Sequence, residues 1–193
     1  MEEQECLQKK DSELVRLTLE NEEYFFCIMK KYEGPLLKYI NRITNIHPED
    51  AQDLLQETFI KAYINLNEFD LSLKFSSWIY RIAHNQVIDN FRKFKNQPEK
   101  INSEINEKVL EKIKTDLNIE KTIDQKILKK KLNHLINQLD IKYKEVIVLK
   151  YLENKTYDEI SDIIKKPVNT VGTLIKRAKE KLNHLIKQNK IYE

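Results

Sequence analysis

Residues 53–93 read DLLQETFIKAYINLNEFDLSLKFSSWIYRIAHNQVIDNFRK, two helical patterns joined by a short polar loop. In the first, Leu55, Phe59, Ala62 and Leu66 recur every three or four residues, which puts them on one face of a helix and predicts a core. The opposite face carries Asp53, Gln56, Glu57 and Lys61 around Ile60 and Ile64. Two apolar side chains in a polar surround suit a protein partner. They are equally the ordinary apolar share of a folded surface. In the second pattern Phe75, Trp78, Ile79 and Ile82 predict a buried face, while Ser77, Arg81, Asn85 and Arg92, with Lys93 beside them, form a polar and partly basic stripe. Arg and Asn on one exposed line supply the charge, bidentate donors and amide that phosphates and base edges require. A solvated face, with Asp89 paired to Arg92 or Lys93, accounts for the same residues.

DLLQETFIKAY at 53–63, followed by FSSWIYRIAHNQVIDNFRK at 75–93, closely resembles the second conserved region of bacterial sigma factors, specifically the extracytoplasmic-function (ECF) group. In that family the first helix docks on the polymerase clamp, and the second helix with its preceding loop opens and reads the minus-ten promoter element. The resemblance implies polymerase contacts at Asp53, Gln56, Glu57, Ile60 and Ile64. It implies DNA contacts at Ser77, Arg81, Asn85, Arg92 and Lys93, with the loop 67–74 near a flipped base.

The whole chain is compatible with this. Its 193 residues can hold one large domain or two small ones, and 40% hydrophobic with 34% charged residues suits folded, soluble cores. Two glycines and four prolines, among abundant Leu, Ile, Lys, Glu and Asn, favour an all-α protein. No apolar run is long enough to span a bilayer and no signal peptide opens the chain, so a cytoplasmic location and no membrane partner are expected. Cys6 and Cys27, far apart in sequence, predict neither a disulfide framework nor a zinc site, and Cys27 inside YFFCIM reads as a small core residue. His47, His84, His134 and His184 are scattered, and Glu180 with His184 on one helical face does not make a metal site. No cofactor or metal is expected.

Taken in order, residues 1–10 are polar. From Asp11 the apolar positions suggest two helices with a break near Gly34-Pro35, because proline is costly inside a helix. His47-Pro48-Glu49-Asp50 marks the next boundary. Residues 1–94 then form one helical domain. Residues 95–122 are rich in Asn, Glu and Lys with a thin apolar rhythm at Ile101, Ile105, Val109 and Ile113, and read as a polar linker. Residues 123–193 form a second helical domain, with Leu128, Leu132, Leu135, Ile136 and Leu139 as one stripe and Val146, Ile147, Leu149 and Leu152 in the next helix. Residues 131–193 carry 13 basic side chains against 8 acidic ones, and residues 165–190 hold eight basic residues against Glu180 alone. That excess fits phosphate contact, or solubility.

Within this domain, residues 156–182 read TYDEISDIIKKPVNTVGTLIKRAKEKL. Thr156 and Glu159 fit a capping box, and Asn169 or Thr170 can cap the next helix after a turn at Lys165 to Val168. Ile160, Ile164, Val168, Val171 and Ile175 are spaced to pack a helix-turn-helix, leaving Thr170, Thr173, Lys176, Arg177 and Lys179 pointing outward toward DNA. The stretch resembles the fourth region of the same family, which reads the minus-thirty-five element. It departs from the family at Lys165, where the turn usually has Gly, at Ser161, where Ala is usual, and at Gly172 and Leu174, which replace basic residues. Glycine inside a helix costs about 1 kcal/mol relative to alanine. It permits close backbone approach to DNA, or it marks altered recognition of the upstream element.

Together the two regions predict a two-domain, all-helical sigma factor, with core RNA polymerase and promoter DNA as partners and an anti-sigma factor expected from the family. The sequence has no phosphate-cradling glycine loop and no nucleophile-and-base pair, which argues against an enzyme. Two other functions are weighed: a dimeric regulator that binds duplex DNA through residues 156–182 without polymerase, and a helical interaction protein whose lysines only solubilise it. Steep salt dependence of DNA binding would separate the last.

Overall fold

In the computed structural model, which describes residues 6, 8–44, 46–94 and 125–189, and of 91–94 and 125–130 the backbone alone, every regular element is helical. The chain divides into two compact units. The expected linker at 95–122 lies outside the described residues. Among those described, no helix is long and apolar enough to cross a membrane.

The first unit holds α1 (Asp11–Glu20), α2 (Phe25–Thr44), α3 (Pro48–Ile64) and α4 (Phe75–Phe94), with short 3-10 turns at Glu22–Tyr24 and Leu66–Glu68. Helices α2, α3 and α4 pack pairwise, and α1 lies on α2. Helix α3 starts where the sequence predicts. Pro48 takes the first position, where a missing N–H costs nothing, and Glu49 with Asp50 complement the positive end of the helix dipole. Leu55, Phe59, Ala62 and Leu66 are buried, joined by Ala51, Leu54 and Thr58. The Thr58 hydroxyl donates to the Leu54 carbonyl at 2.7 Å, so its burial leaves no unmet donor.

Three expectations are corrected in this unit. Helix α2 runs unbroken through Gly34-Pro35. Pro35 is exposed, while Tyr32, Leu36, Tyr39, Ile40 and Ile43 are buried along the other face. Burial of each aliphatic side chain contributes about 1.5–3 kcal/mol, enough together to outweigh the roughly 3 kcal/mol cost of an interior proline. The buried face of α4 is also turned relative to expectation. Phe75 and Ile79 are buried, Trp78 and Ile82 only partly, and Tyr80, Ala83 and Val87 complete the core.

The third correction concerns the cysteines. Cys6 and Cys27 form a disulfide, with Cα atoms 4.8 Å apart and both side chains wholly buried. Twenty-one positions of sequence separate them, but α1 doubles back along α2 and closes the distance. Two more ties hold the same junction. Tyr32 donates its hydroxyl to Asp11 Oδ2 at 2.6 Å, and Lys31 Nζ lies 2.8 Å from Asp11 Oδ1. Burial first, and the Asp11 carboxylate second, hold the Tyr32 phenol well above its usual titration range.

The C-terminal helices are α5 (Gln125–Asn137), α6 (Ile141–Ile147), a π-helical turn (Val148–Leu152), α7 (Tyr157–Ile164) and α8 (Val168–Gln188), of which residues 125–161 and 165–189 belong to the second unit. Helix α6 packs on α8, and α5 on both. Leu132, Leu135, Ile136 and Leu139 form the stripe expected of α5 and its exit, and Val171, Ile175, Ala178, Leu182 and Ile186 line α8 at helical spacing. The capping box is present: the Thr156 N–H donates to Glu159 Oε2 at 2.7 Å and the Glu159 N–H to Thr156 Oγ1 at 3.2 Å. Helix α8, in contrast, begins at Val168 after Pro167, with no side-chain cap from Asn169 or Thr170. Val168 is 40% exposed rather than a packing residue.

Candidate functional site

The outer face of α3 carries Asp53, Gln56, Glu57, Ile60 and Ile64, all exposed. Ile60 and Ile64 are 58% and 66% exposed on a helix whose other face is well buried. The face continues beyond what periodicity could indicate. Leu19 of α1, itself exposed, shares a groove with Tyr63, Ile64 and Leu66, and the Tyr63 hydroxyl donates to Glu22 Oε2 at 2.8 Å across its rim. Leu19 escaped sequence reasoning because it reaches this groove only through the packing of the unit.

Between α3 and α4, the loop stands on an aromatic base. The Phe69 ring lies 5.3 Å from that of Phe75 and 5.2 Å from that of Trp78, and Phe75 meets Tyr32 at 5.6 Å. Beyond that base, Asp70 Oδ1 accepts the Ser72 N–H at 2.8 Å, and the Asp70 carbonyl accepts the Leu73 N–H at 3.0 Å. The Ser72 backbone bond holds the Asp70 carboxyl below its usual range. Leu71 and Leu73 are left 40% and 52% exposed at the tip. The loop is therefore anchored at one end and presents apolar side chains at the other.

On α4, Arg81 is half-buried and Asn85 exposed. Ser77 departs from the predicted stripe. It is 4% exposed, and its hydroxyl has no hydrogen-bond partner among the described residues, so it faces the packing rather than a ligand. Arg92 and Lys93 lie on the last turn of α4, and their side chains fall outside the described residues. His84 is buried, with Nδ1 3.2 Å from the Tyr39 hydroxyl, a packing role rather than a ligand role.

In the second unit Thr170, Thr173, Lys176 and Arg177 are exposed on α8, and Lys179 is half-buried. Thr173 donates its hydroxyl to the Asn169 carbonyl at 3.0 Å, and Lys181 pairs with Asp140 at 3.3 Å, leaving Lys176 and Arg177 as the more outward charges. The preceding turn explains two departures from the family pattern. Lys165 is left-handed, at φ 52° and ψ 50°, the conformation glycine adopts without strain. Ser161 donates its hydroxyl to the Lys166 carbonyl at 2.6 Å, while the Lys166 N–H reaches the Ser161 carbonyl at 3.3 Å. A side chain where alanine is usual thus closes the turn that a non-glycine residue makes costly.

Comparison with known proteins agrees with this arrangement. Residues 28–97 match Sigma-70 region 2 and residues 129–182 match Sigma-70, region 4. The chain is 36% identical over 167 residues to the ECF RNA polymerase sigma factor SigW of Bacillus subtilis (strain 168), a match covering 84% of this chain and 88% of SigW. It is 27% identical to the RNA polymerase sigma-H factor of Pseudomonas aeruginosa over 181 residues, 91% of this chain and 93% of that protein. Its fold is similar to that of CnrH in complex with the cytosolic domain of CnrY, with a TM-score of 0.66 at 22% identity over 92% of this chain and 97% of CnrH. It is also similar to the sigma factor RpoE in complex with the anti-sigma factor NepR from Bartonella quintana, with a TM-score of 0.60 at 19% identity over 84% of this chain and 96% of RpoE. Two family regions matched in order, with a relative 36% identical over most of both chains, make this chain a member of the sigma-70 family in its extracytoplasmic-function group, a promoter-recognition factor for transcription initiation.

Proposed function

We propose that the two units divide one promoter between them while the first also docks on the enzyme. Residues 1–94 serve as region 2. Helix α3 offers Asp53, Gln56, Glu57, Ile60 and Ile64 to core RNA polymerase, and α4 offers Arg81, Asn85, Arg92 and Lys93 to the minus-ten element. The loop 67–74, standing on Phe69, receives a base flipped from that element. Residues 95–122 connect the units, and residues 123–193 read the minus-thirty-five element through Thr170, Thr173, Lys176, Arg177 and Lys179. The chain acts in the cytoplasm by recognition and strand opening, without covalent catalysis. RpoE is held by an anti-sigma factor in its complex, and a partner of that kind is proposed for this chain also.

The observation that carries the docking assignment is the exposure of Ile60 and Ile64, 58% and 66%, inside a ring of polar side chains. An apolar centre with a polar rim is the anatomy of a protein interface. The test is binding to purified bacterial core RNA polymerase by wild type and by a Glu57→Lys, Ile60→Asp double variant whose helicity is checked by circular dichroism. Tight binding by wild type that the folded variant loses is the expected result. Failure of wild type to bind polymerase, alongside tight binding to duplex DNA alone, would replace this reading with a dimeric regulator.

A further inference from the structure

Gln86 sits on α4 next to Asn85, yet its side chain turns the other way and is only 3% exposed. A primary amide buried to that degree is costly unless both of its ends are bonded. Both ends reach α3. Gln86 Oε1 accepts from Lys61 Nζ, and Gln86 Nε2 donates to Glu57 Oε2 at 2.6 Å. An ammonium can only donate and a carboxylate can only accept, so the charges of Lys61 and Glu57 dictate which way the amide faces. Both bonds are charge-assisted and therefore among the stronger hydrogen bonds a side chain makes.

Glu57 and Lys61 are themselves exposed and one helical turn apart, on the face that carries Ile60 and Ile64. An exposed glutamate ordinarily samples several rotamers and loses that freedom when an interface captures it. Here a buried group from the neighbouring helix removes the freedom before any partner arrives.

We propose that Gln86 is a positioning residue for polymerase docking: it holds the Glu57 carboxylate in place from α4, and so contributes to binding without touching the partner. The inference rests on the docking assignment above and adds to it a residue on the helix otherwise assigned to DNA.

The experiment measures affinity for purified core RNA polymerase with the full chain. Gln86→Met keeps the length and burial of the side chain while removing both bonds. It should bind about three- to tenfold more weakly than wild type, the effect of ordering one such side chain at an interface, with helicity unchanged. The loss should vanish when both proteins also carry Glu57→Ala, because the amide then has nothing to position. A residue with a merely structural role would lower affinity equally in both backgrounds. Should Gln86→Met fail to fold, Gln86→Glu keeps the acceptor for Lys61, repels Glu57, and carries the same expectation. Binding equal to wild type, or an equal loss in the Glu57→Ala background, overturns the proposal. Failure of wild type to bind polymerase at all would overturn the docking assignment itself, a distinguishable outcome.

Discussion

Gly172 of α8 faces the ring edge of Tyr157 on α7: a methyl group added at Gly172 would meet Tyr157 Cε1 at 3.7 Å, an ordinary van der Waals contact. The glycine is half-buried and has no positive φ. Neither space nor backbone geometry demands it, so Gly172→Ala should stabilise the protein by about 1 kcal/mol through helix propensity. Affinity for minus-thirty-five DNA should stay within about twofold. Thermal melting and a DNA titration at fixed salt check both halves. A stabilised protein with a tenfold loss of DNA affinity would mean that the α8 backbone approaches DNA at this point.

Lys165 invites the opposite kind of change. Its left-handed backbone costs a non-glycine residue about 1–2 kcal/mol, part of which glycine returns as extra freedom of the unfolded chain. Lys165→Gly should therefore stabilise by about 0.5–1 kcal/mol, and Lys165→Val should destabilise by more than that. Urea midpoints of the two variants settle the sign. Equal midpoints would show that the turn tolerates any residue.

The bridge between Cys6 and Cys27 uses both cysteines of the sequence, so a thiol assay on the unreduced, unfolded chain should find none free. Closing a loop of this length should contribute about 3 kcal/mol by restricting the unfolded chain. Cys27→Ser should lose a comparable amount, and reductant should destabilise wild type but not the variant. Two reactive thiols in protein purified without reductant would contradict the bridge.

Burial of Lys144 and Glu145 on α6 gives stability a particular pH profile. Burial pushes the Glu145 carboxyl up to about 7, with Lys166 pulling weakly the other way, and pushes the Lys144 ammonium down to about 8. Between its ordinary pKa of 4.5 and about 7, Glu145 is protonated in the fold and ionised in the unfolded chain, so stability falls as pH rises across that window. Between about 8 and 10.5, Lys144 is neutral in the fold and charged in the unfolded chain, so stability rises with pH. The two together place a minimum near pH 7 to 8. Each limb corresponds to roughly 3 kcal/mol. Glu145→Gln should abolish the acid limb, which urea titrations at pH 5, 6 and 7 would measure against wild type. Parallel curves would show that the carboxyl titrates normally.

Much of this architecture was legible because its signals are local. Pro48 at the head of α3, the Thr156–Glu159 box and the apolar rhythms of α3 and α8 each lie within a turn or two of sequence, and periodicity reads them directly. The same reading extended α4 by ideal spacing and assigned Ser77 to the exposed stripe, although the packing turns it inward. What it missed is non-local. Cys6 meets Cys27, Leu19 joins Ile64 in lining one groove and Gln86 meets Glu57 only after separate segments fold against one another, and no pattern along the chain records that proximity. Pro35 misled for a related reason. Its cost is a local property, but the burial that outweighs it comes from α3 and α4.

The π turn at Val148–Leu152 has a consequence for how this chain tolerates change in length. There the Glu153 N–H bonds five residues back to the Val148 carbonyl at 2.9 Å, where an α-helix would bond four back. The turn thus accommodates one residue more than α-helical winding requires. Deleting that residue would let the segment rewind as an ordinary α-helix, in which each residue advances the chain by about 100°. Because the wider turn spreads its surplus residue over one circuit, the chain beyond the deletion would leave the segment in nearly the phase it has now. A single-residue deletion here should therefore be better tolerated than one within the regular windings of α6 or α8, where the same loss would rotate everything beyond it by more than a quarter turn.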